Sequence, residues 1–278
     1  MLAGYDACAV APAAPSDPFA ALLETSPLQC AFVSIDATVR TNMTLTEADG
    51  TTTKINEHGP VLSAEEQHAL REELTKRGAG ADAVVLAGSL PPGVADNWYL
   101  ELIEAARVAG APLVALDTSD KPLQALGAAL AEEHGEPGFA PDVIKPNAFE
   151  LAQLTGAGGH ELEALAKKGD FSLTVASARK LVDRGVAEVL VTLGGSGACL
   201  VTAEGAWAAT PPPIIVRSTV GAGDSSLAGY VTARVDGLAS SECLRRAVAY
   251  GSAAASLPGT TLPTPEQLDA ERTAVFPV

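Results

Sequence analysis

Apolar positions along this chain change period several times, and the changes mark its elements. Tyr5 to Ala14 reads as a short strand running into a Pro-rich loop, and Phe19 to Glu24 as a helix. From Cys30 the period is two. Ala31–Ile35, Arg40–Thr46 and Thr51–Ile55 are short β-branched runs, the pattern of half-buried strands. The last two flank Glu47-Ala48-Asp49-Gly50, a hairpin turn. Together they predict a small antiparallel sheet, a lid within about residues 30–58, outside the main layers of a single domain. Ser63, with Glu66 three residues on, carries a capping-box signal, so a helix is expected to about Arg77.

Beyond it strands and helices alternate. Ala83–Leu86, Leu113–Leu116, Val143–Ile144 and Val189–Thr192 read as buried strands, with helices near 97–108, 122–133, 148–155 and 175–184. Such alternation implies a mostly parallel sheet with helices on both faces, an α/β/α sandwich. Ligands of these sheets bind at the carboxyl ends of the strands. Those ends read Gly88-Ser89, Asp117-Thr118, Lys145-Pro146-Asn147 and Thr192-Leu193-Gly194. A fifth turn, Ser218 to Asp224, follows the β-branched run Ile214-Ile215-Val216 and precedes a helical pattern from Leu227.

The fifth turn carries the most chemistry. Gly221 and Gly223 allow close approach of another group, and N–H groups at a helix start favour an anion there. Asp224 can accept a hydroxyl proton beside that anion pocket, or it can simply cap the helix. A dinucleotide fingerprint is excluded, because Ser226 stands at the third glycine position. Lys145, Asn147 and Glu150 combine a cation, an amide and a carboxylate. They suit phosphate and Mg²⁺, or a helix cap with a first-turn acid. Thr192 to Gly197 can cover nucleotide phosphates or be a glycine-rich turn before a strand at Cys199–Val201. Ser252 to Thr261 offers small side chains to a base and loop carbonyls to a monovalent cation, or is a plain helix end. Arg40-Thr41-Asn42 opens a strand with polar groups, and Ser89 can bond a ligand.

Composition narrows the classes. The 278 residues carry a net charge of −16, which argues against nucleic acid or an anionic membrane as partner. Four scattered cysteines, Cys8, Cys30, Cys199 and Cys243, form no C-x-x-C pair. No Lys or Arg precedes Arg40, and no apolar run approaches membrane-spanning length. The expectation is a soluble, cytoplasmic protein. No Walker A, G-x-S-x-G or H-E-x-x-H motif occurs.

Ser218-Thr-Val-Gly-Ala-Gly-Asp-Ser225, Gly88-Ser-Leu-Pro-Pro-Gly93, Lys145-Pro-Asn-x-x-Glu-Leu151, Thr192-Leu-Gly-x-x-Gly197 and Arg40-Thr-Asn42 together resemble the ribokinase-like sugar kinases of the phosphofructokinase B group. Their order and spacing agree over nearly the whole chain, and Thr51-Thr-Thr-Lys-Ile-Asn56 brings it nearest the branch acting on fructose 1-phosphate. The resemblance implies an ATP- and Mg²⁺-dependent kinase making fructose 1,6-bisphosphate, with fructose 6-phosphate or tagatose 6-phosphate as alternative acceptors. It implies Asp224 as base and Gly221, Ala222 and Gly223 as anion hole. Lys145, Asn147, Thr192, Gly194, Gly197, Ser218 and Ser252 would meet the nucleotide, and Asn147 with Glu150 would organise Mg²⁺. Arg40, Asn42, Gly88 and Ser89 would hold the sugar phosphate. Ala254, Leu257, Gly259 and Thr261 would resemble the family's K⁺ site, and the lid would pair in a homodimer. The family's first strand, with its substrate-binding aspartate, and its Gly-Gly-Lys-Gly-x-Asn loop have no counterpart before Tyr5. A domain short of those parts is therefore expected. The alternative of another class is a catalytically impaired nucleotide-binding remnant or partner subunit.

Overall fold

Alternate residues of the central strands feed two different helical layers in the computed structural model, which describes residues 3–46, 52–131 and 139–278. The chain opens with β1 (Cys8–Ala13), α1 (Pro18–Glu24) and β2 (Gln29–Ser34), then β3 (Asn42–Thr46), β4 (Thr52–Asn56) and α2 (Ala64–Gly78). Next come β5 (Val84–Ala87), α3 (Trp98–Val108), β6 (Val114–Asp117), α4 (Asp120–Ala131) and β7 (Val143–Ile144). Three helices follow, α5 (Ala148–Thr155), α6 (Gly159–Ala166) and α7 (Ser172–Val182), and then β8 (Glu188–Thr192), β9 (Ala198–Thr202) and β10 (Ala206–Thr210). The chain ends with α8 (Ala222–Val235), α9 (Ser240–Ser256) and β11 (Ala274–Pro277).

Seven strands form one sheet in the order β11-β10-β9-β8-β7-β6-β5. The pairings from β5 to β8 are parallel, so those four strands end along one edge, while β9, β10 and β11 add antiparallel. Val114, Leu116, Val189, Val191, Cys199 and Val201 pack under the layer built from α2 to α7. Their alternates Ala115, Leu190, Ala198 and Leu200 pack under α8 and α9. This is the expected three-layer sandwich. The capping box at Ser63 forms, with Glu66 N–H donating to Ser63 Oγ and Ser63 N–H to Glu66 Oε2.

Two expectations are corrected. The run at Ala31–Ile35 does not join the lid. It falls on β2, which pairs parallel with β1, and Ala31 and Ile35 are buried. Only β3 and β4 pair as the expected antiparallel hairpin; its turn, 47–50, lies outside the described residues. Ile214-Ile215-Val216 is not a strand, and Ile215 is 81% exposed. The preceding Pro211-Pro212-Pro213 lack the N–H donors that a ladder needs. The segment instead anchors on α9, where Arg217 and Ser218 N–H donate to the Ala255 carbonyl. β10, β11 and α6 were not expected from the pattern.

Candidate active site

The parallel strands end where the sequence places polar residues. β6 ends at Asp117 and β7 at Ile144, in register through Leu116 and Ile144, so Asp117 and Lys145 emerge side by side. Lys145 Nζ pairs with Asp117 Oδ2 at 3.0 Å, with the side chains 7% and 17% exposed. Burial raises the Asp117 carboxyl above its ordinary range; Lys145 opposes the rise and the Asp224 carboxylate adds to it. Asp224, Asp117 and Lys145 therefore share one electrostatic neighbourhood.

The glycine turn meets this pair from the other side. Gly221 is the N-cap of α8, at φ +76°, a left-handed conformation that a side chain strains. Ala222, Gly223 and Asp224 are the first three helical residues, whose N–H groups lack intrahelical partners. The capping alternative for Asp224 thus does not apply: it is exposed in the first turn rather than at the cap. A Cβ on Gly223 would lie 3.2 Å from Lys145 Nζ, so the ammonium reaches bare backbone at the helix start.

Asn147 caps α5. Its side-chain oxygen accepts from Phe149 and Glu150 N–H at 2.9 and 3.0 Å, and Asn147 N–H donates to Glu150 Oε2 at 2.8 Å. Cap geometry and proximity to the site coexist here. Burial lifts the Glu150 carboxyl above its usual range, with Lys145 lowering it and Asp117 and Asp120 raising it. Among the described residues no group of three His, Cys, Asp or Glu is arranged to hold a metal ion by itself. Thr192 joins the site through its N–H, which donates to the Pro146 carbonyl at 2.9 Å. The tight turn at Gly194–Ser196 follows at once, closed by Gly197 at φ +97°.

The loop after β5 is tied to the same point. Gly88 N–H donates to the Asp117 carbonyl, and the Gly88 carbonyl accepts from Thr118 Oγ1 and Tyr99 Oη at 3.0 and 2.8 Å. Arg40 Nη2 reaches Ser89 Oγ at 3.5 Å while its stem lies along Gly59. Asn42 opens β3 opposite Asn56. On the far side, Gly251 of α9 touches the start of α8, where a Cβ would meet the Ala222 carbonyl at 3.2 Å; Ser252 is next to it. The loop after α9 folds back on itself, with Leu257 N–H donating to Ala254 and Thr261 to Pro258. Ser218 is bound to that loop's start through Ala255.

The structure thus gathers Lys145, Asn147, Glu150, Thr192, Gly88, Ser89, Arg40 and the Gly221–Asp224 turn on adjoining loops. Gly194 and Gly197 lie in the turn after β8, and Ser218 is tied to the end of α9, which carries Ser252 and Ala254 and runs into the loop of Leu257, Gly259 and Thr261. Sequence reasoning gave Asp117 no role. Its signal was an acid closing the apolar run Val114-Ala115-Leu116, at one of the strand ends read as a ligand edge. Asp120, the one described non-glycine residue with positive φ, stands two residues past the Thr118 that braces Gly88, and was also missed.

A family model described as pfkB family carbohydrate kinase matches residues 6–267. A 1-phosphofructokinase of Rhodobacter capsulatus is 41% identical over 191 residues, 69% of this chain and 54% of the relative. One from Haloferax volcanii is 34% identical over 244 residues, 88% of this chain and 71% of the relative. The chain thus spans little more than half of the first relative's length. Among solved structures, phosphofructokinase-2 from Escherichia coli in complex with potassium is 30% identical at a TM-score of 0.79, covering 95% of this chain and 80% of that one.

Proposed function

Since the chain belongs to the pfkB family of carbohydrate kinases, we propose that it transfers the terminal phosphoryl group of ATP to a hexose phosphate, with fructose 1-phosphate as acceptor and fructose 1,6-bisphosphate as product. Its three-layer α/β/α architecture with a separate β3–β4 hairpin is the ribokinase-like fold. The observation that carries the reading is the meeting of Lys145 with the bare backbone of Gly223 beside Asp224. A cation, the N–H groups at the start of a helix and one exposed carboxylate then adjoin, the set that in-line phosphoryl transfer uses for positioning and charge neutralisation.

In this reading Asp224 accepts the proton of the sugar hydroxyl as that oxygen bonds to phosphorus and the bond to the nucleotide breaks. The N–H groups of Gly221, Ala222 and Gly223 take up charge on the moving group. Lys145 neutralises the nucleotide phosphates, and Thr192, Gly194, Gly197, Ser218 and Ser252 line the rest of that ligand. Arg40, Asn42, Gly88 and Ser89 hold the acceptor's phosphate end. The residues fit Mg²⁺ of the usual kind, held by one or two carboxylates, waters and phosphates. Glu150 would supply the carboxylate through its second oxygen, with Asn147 beside it, and the ion would neutralise phosphate charge. The Ala254–Thr261 loop would take K⁺ through its carbonyls, consistent with the potassium named for the Escherichia coli structure. The partner is a second copy: Met43 and Ile55 are cross-strand neighbours on one face of the β3–β4 hairpin, with Leu45 on that face too, and all three are exposed.

The test is a panel of fructose 1-phosphate, fructose 6-phosphate and tagatose 6-phosphate with MgATP. The highest kcat/KM is expected for fructose 1-phosphate. A preference for one of the 6-phosphates would reassign the acceptor. ATP binding without turnover on any of the three would make the chain the non-catalytic nucleotide binder.

A further inference from the structure

We infer that Asp117 is a positioning residue for this transfer, holding the Lys145 ammonium in the gap that Gly223 leaves at the start of α8. The inference rests on the kinase reading above and adds a residue to it. Lys145 has a long stem with several rotatable bonds, and a buried lysine without an acid tends to lose its proton or swing out to water. Here two constraints hold it. On one side stands Asp117, placed by strand register: Leu116 pairs with Ile144, and Lys145 N–H donates to the Leu116 carbonyl at 3.2 Å. The two residues leave neighbouring strand ends with their charges 3.0 Å apart. On the other side stands Gly223. A methyl there would come within 3.2 Å of Nζ, closer than ordinary carbon contacts, so the ammonium occupies room that any side chain would contest.

Asp117 also reaches the acceptor side of the site. Its carbonyl takes the Gly88 N–H, and the next residue, Thr118, donates to the Gly88 carbonyl. One strand end therefore fixes the phosphate cation and the loop carrying Ser89. The Asp117 carboxylate is engaged with Lys145 and acts on the reaction through that lysine.

The experiment is a double-mutant cycle on the full chain with Asp117→Asn, Lys145→Met and both together. Binding of a non-hydrolysable ATP analogue with Mg²⁺ is measured by calorimetry, KM values for ATP and acceptor by steady-state kinetics, and folding by thermal melting. Asp117→Asn is expected to weaken analogue binding and raise the ATP KM by roughly tenfold to a hundredfold, leaving the acceptor KM within about twofold. Leaving one buried charge unpaired should lower its melting temperature. The double variant should melt closer to wild type without regaining analogue binding. In the Lys145→Met background Asp117→Asn should cost nothing further, because both act through one ammonium. Should Asp117→Asn fold poorly, Gly223→Ala serves instead. It is mild for a helix, yet it should weaken analogue binding when Lys145 is present and not when it is Met. The same loss from Asp117→Asn with and without Lys145, or a shifted magnesium requirement at unchanged ATP KM, would overturn the inference, because Asp117 would then act on ligand or metal directly. A wild-type chain that binds no analogue would instead remove the kinase reading on which the inference stands.

Discussion

Glu150 has one job in the structure and a second in the proposed reaction, and the two can be separated. One oxygen accepts the Asn147 N–H and closes the capping box of α5. The other is available to Mg²⁺ in the proposed reaction. Glutamine satisfies the same cap. Glu150→Gln should therefore leave the melting temperature nearly unchanged while the magnesium concentration for half-maximal rate rises several-fold; an unaltered magnesium titration would leave Glu150 a cap alone. At this scale the sequence was informative where local chemistry is self-declaring. Asn147 three residues before Glu150 announces both cap and oxygen donors, and Gly221 announces a turn with positive φ. It placed Asp117 at a strand end but gave no hint of its pairing with Lys145, which comes from strand register between β6 and β7, a non-local property that no spacing along the chain encodes.

Among the elements, the turn after β8 depends on backbone that tolerates no side chain. A Cβ on Gly197 would stand 1.9 Å from the Ala209 carbonyl oxygen at φ +97°, whereas one on Gly194, at φ +56°, meets open space. Gly197→Ala combines overpacking with strain and should cost at least ~3 kcal/mol. Gly194→Ala pays only the left-handed conformation, about 1 kcal/mol. Chemical denaturation of the two variants checks this, and equal costs would contradict the described turn. Strands β5 to β8 were legible because buried parallel strands are short apolar runs closed by turn residues. Ile214-Ile215-Val216 misled for the same reason. Its β-branched run looks like a strand, but three prolines before it and the Ala255 carbonyl beyond it decide otherwise. The strand at Ala31–Ile35 was assigned to the lid by proximity in sequence, although its partner, β1, lies twenty-one residues earlier in register. β11, no shorter than β5 or β6, went unseen because it is an edge strand ending in a proline, with no helix after it to mark a strand–helix alternation.

For the molecule as a whole, the sheet is asymmetric. β5 stands at one edge with Val85 exposed, while β1 and β2 pair with each other among the described residues. The three-layer plan was readable from the alternation of strands and helices. The separation of β1 and β2 from the main sheet was not, because it is a matter of which edges meet. The exposed face of β3 and β4 belongs to this scale too. If a second copy covers Met43, Leu45 and Ile55, Ile55→Asp should shift sedimentation from dimer to monomer; a wild-type chain that sediments as a monomer would remove the lid interface. None of the described helices is long and apolar enough to cross a membrane. The account's central claim is that one exposed carboxylate at the start of α8 takes a proton from an acceptor hydroxyl. The most direct measurement compares turnover of fructose 1-phosphate by wild type and Asp224→Asn, with ATP-analogue binding measured on both. The prediction is unchanged analogue binding and a kcat lower by about 10²–10⁴-fold; an Asp224→Asn chain that turns over at the wild-type rate would contradict it.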